Sequence, residues 1–213
     1  MTELTDYIEA HTTAEDDYLR RLRRATNIHL VRPHMVTGHV EGMTLRLLTA
    51  MIRPQSVLEI GTYSGYSAIA ISLGLGKDGH IYTFDINDEI ADFARQWIEG
   101  SPRAEAITAI TGDVLSALPD FARAHGDLRF DMIFIDGNKR EYTDYYRLSR
   151  EYIRPGGFIL ADNTLWDGHI VDPAYDHDAQ TRGIRAFNDM VSSDESVEQV
   201  IMPLRDGLTI IKV

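Results

Sequence analysis

Two apolar runs in this chain end on oxygen-bearing side chains. One finishes Phe134-Ile135-Asp136, the other Leu160-Ala161-Asp162-Asn163. Two carboxylates and an amide oxygen make a hard but incomplete ligand shell. That set suits Mg²⁺, which keeps waters or substrate oxygens in its open positions, and it also accepts Mn²⁺ or Ca²⁺. Lys139 follows Asp136 by three residues. A neighbouring positive charge disfavours an ammonium, which makes Lys139 a candidate base for a phenol hydroxyl. Taken singly, Asp136 and Asp162 read as loop caps and Lys139 as a surface lysine. Their coincidence with Asn163 favours a metal site with a base beside it.

A second kind of site precedes them. Val57-Leu58-Glu59-Ile60 is an apolar run carrying one acid, and Gly61-Thr62-Tyr63-Ser64-Gly65-Tyr66-Ser67 turns into a helix-forming segment. An α/β protein builds a nucleotide-sized pocket at such a strand end. The spacing Gly61-x-x-x-Gly65 lacks the third glycine of the dinucleotide fingerprint. With bulky Tyr63 and Tyr66 in the turn, it suits a cofactor without phosphate. The next strand ends Tyr82-Thr83-Phe84-Asp85, and an acid there can accept hydrogen bonds from both ribose hydroxyls. NAD and S-adenosylmethionine both present such hydroxyls, so Asp85 does not separate them. Thr111-Gly112-Asp113 ends a third strand and is placed for an adenine edge, although Asp113 also reads as the N-cap of the following helix. Glu59 belongs either to the cofactor pocket or to a buried acid bonded to loop amides.

These residues need elements to hold them. Residues 3–30 read as one helical segment ended by Pro33, with acids early and arginines late. A second helix is expected at 38–52, with Val40, Met43, Leu47 and Met51 on its apolar face. Strands are expected near 56–60, 80–84, 106–110, 131–135 and 157–161, and helices near 65–74, 88–98, 114–125 and 141–152. This alternation predicts an α/β fold, a doubly wound, Rossmann-like, mostly parallel sheet with helices on both faces. After a helix near 181–192, strands near 197–202 and 207–212 are joined by Pro203-Leu204-Arg205-Asp206-Gly207. That link is too short for a crossover helix and predicts an antiparallel hairpin.

The 213 residues fit one domain, with 1–37 as a helical N-terminal extension. The absence of cysteine excludes disulfides, thiolate zinc sites and a cysteine nucleophile. A net charge of −12 argues against broad nucleic-acid binding. The cluster Arg20, Arg21, Arg23 and Arg24 lies beside Glu15, Asp16 and Asp17 and reads as a solvated, ion-paired face. No apolar run reaches the roughly 20 residues of a membrane span, and no signal-peptide layout opens the chain. A soluble, cytoplasmic protein without a membrane partner is the expectation.

Three marks carry a family resemblance. They are Leu58 to Ser67, Phe134-Ile135-Asp136-Gly137-Asn138-Lys139, and Asp162-Asn163-Thr164-Leu165-Trp166-Asp167-Gly168. Over roughly residues 30–213 the chain resembles the cation-dependent class I O-methyltransferases, the catechol and caffeoyl-CoA group with its bacterial relatives. The resemblance implies a seven-stranded sheet with an antiparallel end. It implies that Asp136, Asp162 and Asn163 hold the metal, that Lys139 is the base, and that Asp85 binds the ribose of S-adenosylmethionine. Gly61, Tyr63 and Ser67 would line its methionine part, with Glu59 and Asp136 in the same pocket and Gly112 and Asp113 near the adenine. Met35, Val36, Thr37 and Glu41 match a segment that closes over cofactor and substrate. The implied acceptor is a catechol-type small molecule and the implied assembly a homodimer, whose N-terminal segment shapes the substrate site. Asn138 departs from the family, where many relatives carry Asp or a bulky gating aromatic. Two rivals stand beside this reading. An NAD-dependent dehydrogenase should show a third glycine, and a non-catalytic S-adenosylmethionine-binding protein need not keep Asp136, Lys139, Asp162 and Asn163 together.

Overall fold

The computed structural model describes residues 3–213; Met1 and Thr2 of the expected extension lie outside the described residues. The expected single helix over 3–30 is instead two, α1 (Glu3–Ala10) and α2 (Asp17–His29). The break has a local cause. The Thr12 hydroxyl bonds back to the Ile8 carbonyl, and the Asp16 side chain accepts from the Tyr18 amide as an N-cap. Short polar side chains that capture backbone groups end one helix and start another. The arginine cluster on α2 is ion-paired in part, Arg20 with Asp17 and Arg23 with the largely buried Glu15.

Helix α3 (His39–Ile52) forms where expected but turns another face inward. Its buried residues are Glu41, Gly42, Leu45 and Thr49. Leu47 and Met51 are 56% and 77% exposed, against the expected apolar face. The inward face is chosen by fit. A Cβ on Gly42 would overlap the Tyr66 ring, and the Thr49 hydroxyl is satisfied by the Leu45 carbonyl.

The sheet follows the expected alternation. Strands β1 (Ser56–Ile60), β2 (His80–Asp85), β3 (Ile107–Thr111), β4 (Phe130–Ile135) and β5 (Ile153–Ala161) are joined by α4 (Tyr66–Ser72), α5 (Ala91–Glu99), α6 (Val114–Ala124) and α7 (Tyr142–Tyr152). Helix α8 (Ala179–Ser192) leads to the hairpin β6 (Glu198–Met202) and β7 (Leu208–Lys212). The seven strands lie in the order β3-β2-β1-β4-β5-β7-β6. Strands β1 to β5 pair in parallel, and β7 runs antiparallel to both β5 and β6. Strand β5 begins earlier than expected. Ile153 pairs with Phe130 ahead of a register shift, so Arg154-Pro155-Gly156 interrupts the strand without ending it.

Both faces of the sheet are covered. Val57, Met132 and Phe134 pack with α2, α3 and α4, while Leu58, Ile133 and Ile135 pack with α6, α7 and α8. Neighbours in sequence point to opposite sides and both are buried, so β1 and β4 are mostly apolar, interrupted by Glu59 in β1 and Asp131 in β4.

Helix α8 also pins the loop after β4. A Cβ on Gly183 would overlap the Lys139 carbonyl. Gly183→Ala should therefore cost about 1–3 kcal/mol of stability, as overpacking does. Urea denaturation measures it, and an unchanged midpoint would show that α8 does not hold the Lys139 loop.

Candidate functional site

The register of the sheet assembles the site. Ile60 pairs with Phe84 on one side and Ile135 on the other, and Ile135 pairs with Ala161. The residues that follow or close these strands, Gly61, Asp85, Asp136 and Asp162, stand in a row along the carboxyl edge. Their amides extend the ladder: Gly61 donates to Phe84, Asp136 to Ile60 and Asp162 to Ile135, at 2.8, 2.8 and 3.0 Å.

At the β1 end, Gly61 has a φ of +106°, and a Cβ there would overlap the Asp136 carbonyl. No residue with a side chain fits this close approach. Tyr63 also adopts a left-handed backbone, its amide donating to Asp85 Oδ2 at 2.7 Å and its hydroxyl to the Arg32 carbonyl at 2.8 Å. Asp85 Oδ1 accepts from the Asn87 amide at 2.9 Å. The Asp85 carboxylate is thus held by two backbone amides at the wall of a cavity that Thr62, Tyr63, Asn87, Ile90 and Thr111 also line. Gly112 bonds to the Asp85 carbonyl, and Asp113 Oδ1 caps α6 through the Leu115 amide, so the capping alternative for Asp113 is realised. Its other carboxyl oxygen makes no protein hydrogen bond among the described residues. Val36 and Thr37 are buried and Met35 half exposed in the segment that leads into α3.

Glu59 is not bonded to loop amides, as one reading expected. It is fully buried, and among the described residues neither carboxyl oxygen has a hydrogen-bond partner. The Gly61, Tyr63 and Gly65 amides are spent elsewhere, on the Phe84 carbonyl, Asp85 and the Thr62 carbonyl. Burial pushes the Glu59 carboxyl up to about 8; the nearby Ser67 and Thr83 hydroxyls pull against this, and the Asp136 and Asp85 charges add to it. An uncompensated acid beneath a glycine turn is suited to a cationic ligand.

The β4 and β5 ends form the second half. Lys139 is buried, and its Nζ donates to Asp136 Oδ1 at 2.7 Å and to the Tyr142 hydroxyl at 2.8 Å. Tyr142 donates in turn to the Asp162 carbonyl at 2.9 Å. Burial raises the Tyr142 phenol well above its usual range, and the charges of Asp136 and Asp162 add to this. Asp162 Oδ1 accepts from the Asn163 amide at 2.7 Å. Burial, then Asp136 and Glu41, raise the Asp162 carboxyl well above the carboxylate range. Glu41 is ion-paired with Arg205 through Oε2, while its buried Oε1 has no hydrogen-bond partner among the described residues.

Tyr142, Arg205 and Asp206 were not expected here. Tyr142 had a signal, since it follows Lys139 at helical spacing. Arg205 and Asp206 had none, because only the return of the hairpin brings them to the edge. Asp206 bonds through its carbonyl to the Leu165 amide and through its side chain to the Asp167 amide. This ties the turn between β6 and β7 to the segment after Asn163.

The residues present fit a divalent cation. Asp162 is crowded by two other carboxyls, and the Asn163 side-chain amide makes no protein hydrogen bond among the described residues. No group of three or more acidic or histidine side chains in metal-holding arrangement occurs among the described residues. The expected set contains only two carboxylates, with an amide as the third donor.

The sheet order and the glycine turn define a Rossmann-like α/β fold with a ligand edge. Comparison with known proteins makes the class specific. A family model described as O-methyltransferase matches residues 9–213. Caffeoyl-CoA O-methyltransferase 1 of Zea mays is 34% identical over 92% of this chain and 78% of the relative. Caffeoyl-CoA O-methyltransferase 2 of Eucalyptus globulus is 34% identical over 92% of this chain and 81% of its own. Among solved structures, an O-methyltransferase from Bacillus cereus in complex with SAH has a TM-score of 0.90 at 26% identity, covering 100% of this chain and 97% of that one. TomG from Streptomyces achromogenes, in complex with SAM, has a TM-score of 0.88 at 27% identity, covering 100% and 99%. The chain belongs to the O-methyltransferase family, as an S-adenosylmethionine-dependent enzyme of the caffeoyl-CoA O-methyltransferase type.

The raised Glu59 has a consequence for stability. A carboxyl raised on folding contributes fully below its unfolded value, and that contribution is lost as pH climbs through the folded value. For Glu59 the window runs from 4.5 to about 8. Thermal unfolding at pH 5 and pH 8 should show wild type losing stability relative to Glu59→Gln across this range. Parallel pH profiles would mean that the Glu59 charge is already compensated.

Proposed function

We propose that this enzyme methylates one hydroxyl of a vicinal-dihydroxy aromatic, with a divalent cation bound by Asp136, Asp162 and Asn163. Mg²⁺ is the first choice, with Mn²⁺ and Ca²⁺ as alternatives. The observation that carries the reading is the shared strand edge, on which Gly61 and Asp85 stand beside Asp136 and Asp162. A donor pocket and an acidic acceptor pocket are thereby adjacent. The names of the plant relatives, caffeoyl-CoA O-methyltransferases, support a phenolic acceptor.

The roles follow from chemistry. Asp85 accepts the ribose hydroxyls, each of its oxygens keeping a lone pair beyond its backbone amide. Gly61, Tyr63 and Ser67 hold the methionine part, with Glu59 as counter-charge to the sulfonium and ammonium. Gly112 and Asp113 face the adenine, while Met35, Val36 and Thr37 close over the pocket. A cation held by Asp136, Asp162 and Asn163 would lower the pKa of an acceptor hydroxyl. Lys139, in its neutral amine form after releasing a proton to solvent, takes the hydroxyl proton and becomes the ammonium, while the methyl leaves S-adenosylhomocysteine behind. Tyr142 holds the lysine in place through a hydrogen bond at 2.8 Å. Holding oxygen and methyl in line is worth on the order of 7–11 kcal/mol in favourable models.

The same reading takes residues 1–213 as one domain, acting as a cytoplasmic homodimer on small molecules without nucleic-acid or membrane partners. Among the described residues no helix is long and apolar enough to cross a membrane. A dehydrogenase or a non-catalytic binding protein is not favoured, because neither requires the acceptor half.

The test is methyl transfer to a catechol, scored by product mass. Chelation with EDTA should remove turnover and added Mg²⁺ restore it. Asp162→Ala should lower kcat by at least about 100-fold while S-adenosylhomocysteine binding stays close to wild type. Full activity after rigorous chelation, or normal turnover by Asp162→Ala, would sink the cation assignment.

A further inference from the structure

Arg205 is a buried-anchored cation with unused donors. Its Nη1 is paired with Glu41, whose side chain is 2% exposed and fixed in α3. Among the described residues its Nε and Nη2 make no protein hydrogen bond, and the Arg205 side chain is 44% exposed. The guanidinium is therefore oriented by one edge and open at the other. Its turn is docked on the acceptor half, since the Thr164 amide donates to the Gly207 carbonyl and the Leu165 amide to the Asp206 carbonyl, just past Asp162 and Asn163. Lys139 is the cation at the β4 end of that half, and its Nζ is engaged by Asp136 and Tyr142.

The backbone adds an independent observation. Arg205 sits at φ +47°, a left-handed conformation that favours glycine. The turn around it is held on both sides. Gly207 packs so closely on Leu165 that a Cβ would overlap it, and Asp206 bonds to the amides of Leu165 and Asp167. A long charged side chain is thus kept at a strained position of a turn docked beside Asp162 and Asn163.

We propose that Arg205 is a specificity-determining residue that receives a carboxylate carried by the methyl acceptor, so that the preferred acceptors are catechols bearing a carboxylate on the ring or a side chain. A guanidinium fork pairs with a carboxylate through two parallel hydrogen bonds, and the Glu41 contact pre-orients that fork. The acceptor half is otherwise rich in acids, and the open edge of Arg205 offers a cationic face that is not committed to the metal or to the proton transfer. This inference rests on the catechol reading above and narrows it.

The experiment compares a neutral catechol with a carboxylated catechol of similar size, with Mg²⁺ and S-adenosylmethionine. Wild type should favour the carboxylated acceptor in kcat/KM, chiefly through KM. Arg205→Gln should lower the ratio of the two kcat/KM values by about 10- to 100-fold, the scale of hydrogen bonds to a charged group. Arg205→Lys, which keeps the charge and loses the fork, should fall between. A guanidinium that only braces α3 against the hairpin would cost both acceptors alike, and an unchanged ratio overturns the proposal. A wild-type measurement stands independently of how the variants fold. Raising ionic strength should raise KM for the carboxylated acceptor and leave the neutral one nearly constant, because a half-exposed pair is screened. Equal salt responses also overturn it. If the neutral catechol is methylated without any preference for the carboxylated one, this inference fails alone. If neither catechol is methylated, the catechol reading fails and takes the inference with it.

Discussion

The contact between Gly61 and the main chain of Asp136 governs the rest of the molecule. The Asp136 amide donates to the Ile60 carbonyl at 2.8 Å, and its own carbonyl lies where a Gly61 side chain would stand. The end of β1 and the end of β4 are therefore pressed together. The first strand end turns into the donor pocket, and the fourth carries the lysine and one carboxylate. A larger residue at position 61 would push these two strand ends apart, and with them the donor and acceptor halves we propose. The apolar runs of β1 and β4, buried on both faces, exist to hold this register.

Around that contact the charges are arranged with little solvent. Lys139, Asp136, Tyr142 and Asp162 form a chain of hydrogen bonds along the β4 and β5 ends, and Glu41 and Arg205 form an ion pair where α3 meets the hairpin. Such a network is strong when every member is satisfied and costly where one is not. Among the described residues one oxygen of Glu41 and both oxygens of Glu59 are buried acid atoms without a hydrogen-bond partner. The first lies in α3 beside the hairpin, the others near the end of β1. Buried acids without partners mark where a cationic ligand or a proton completes the structure.

The N-terminal helices are joined to this core by polar anchors. Tyr66 stands at the start of α4, directly after the glycine turn, and its hydroxyl donates to Glu15 at 2.7 Å. Glu15 in turn receives two hydrogen bonds from Arg23. The acid that ends the α1–α2 break thus links α2 to the helix that starts at the cofactor turn. Helix α3 closes the other side by turning Glu41 and Gly42 inward. Its apolar periodicity suggested Leu47 and Met51 for the core. The tighter approach allowed by Gly42, and the ion pair available to Glu41, outweigh that periodicity.

Much of the site was legible in the chain because its residues sit at strand ends, and strands announce themselves by apolar runs closed by turn residues. Gly61, Asp85, Asp136, Asp162 and Asn163 could be placed along one edge by that logic alone. Lys139 could be placed too, since three residues separate it from Asp136. The hairpin was legible because five linking residues leave no room for a crossover. The partners of those residues were not. Arg205 meets Glu41 across 164 positions, and no local pattern encodes a contact of that span. The same holds for the solitary burial of Glu59, where the sequence shows an acid in an apolar run but not how the neighbouring amides are spent. Sequence by itself determined which residues reach the edge, because strand period and turn chemistry are local properties. Tertiary structure alone decided how their charges are paired, because burial and electrostatic contact depend on elements that meet only when the chain has folded.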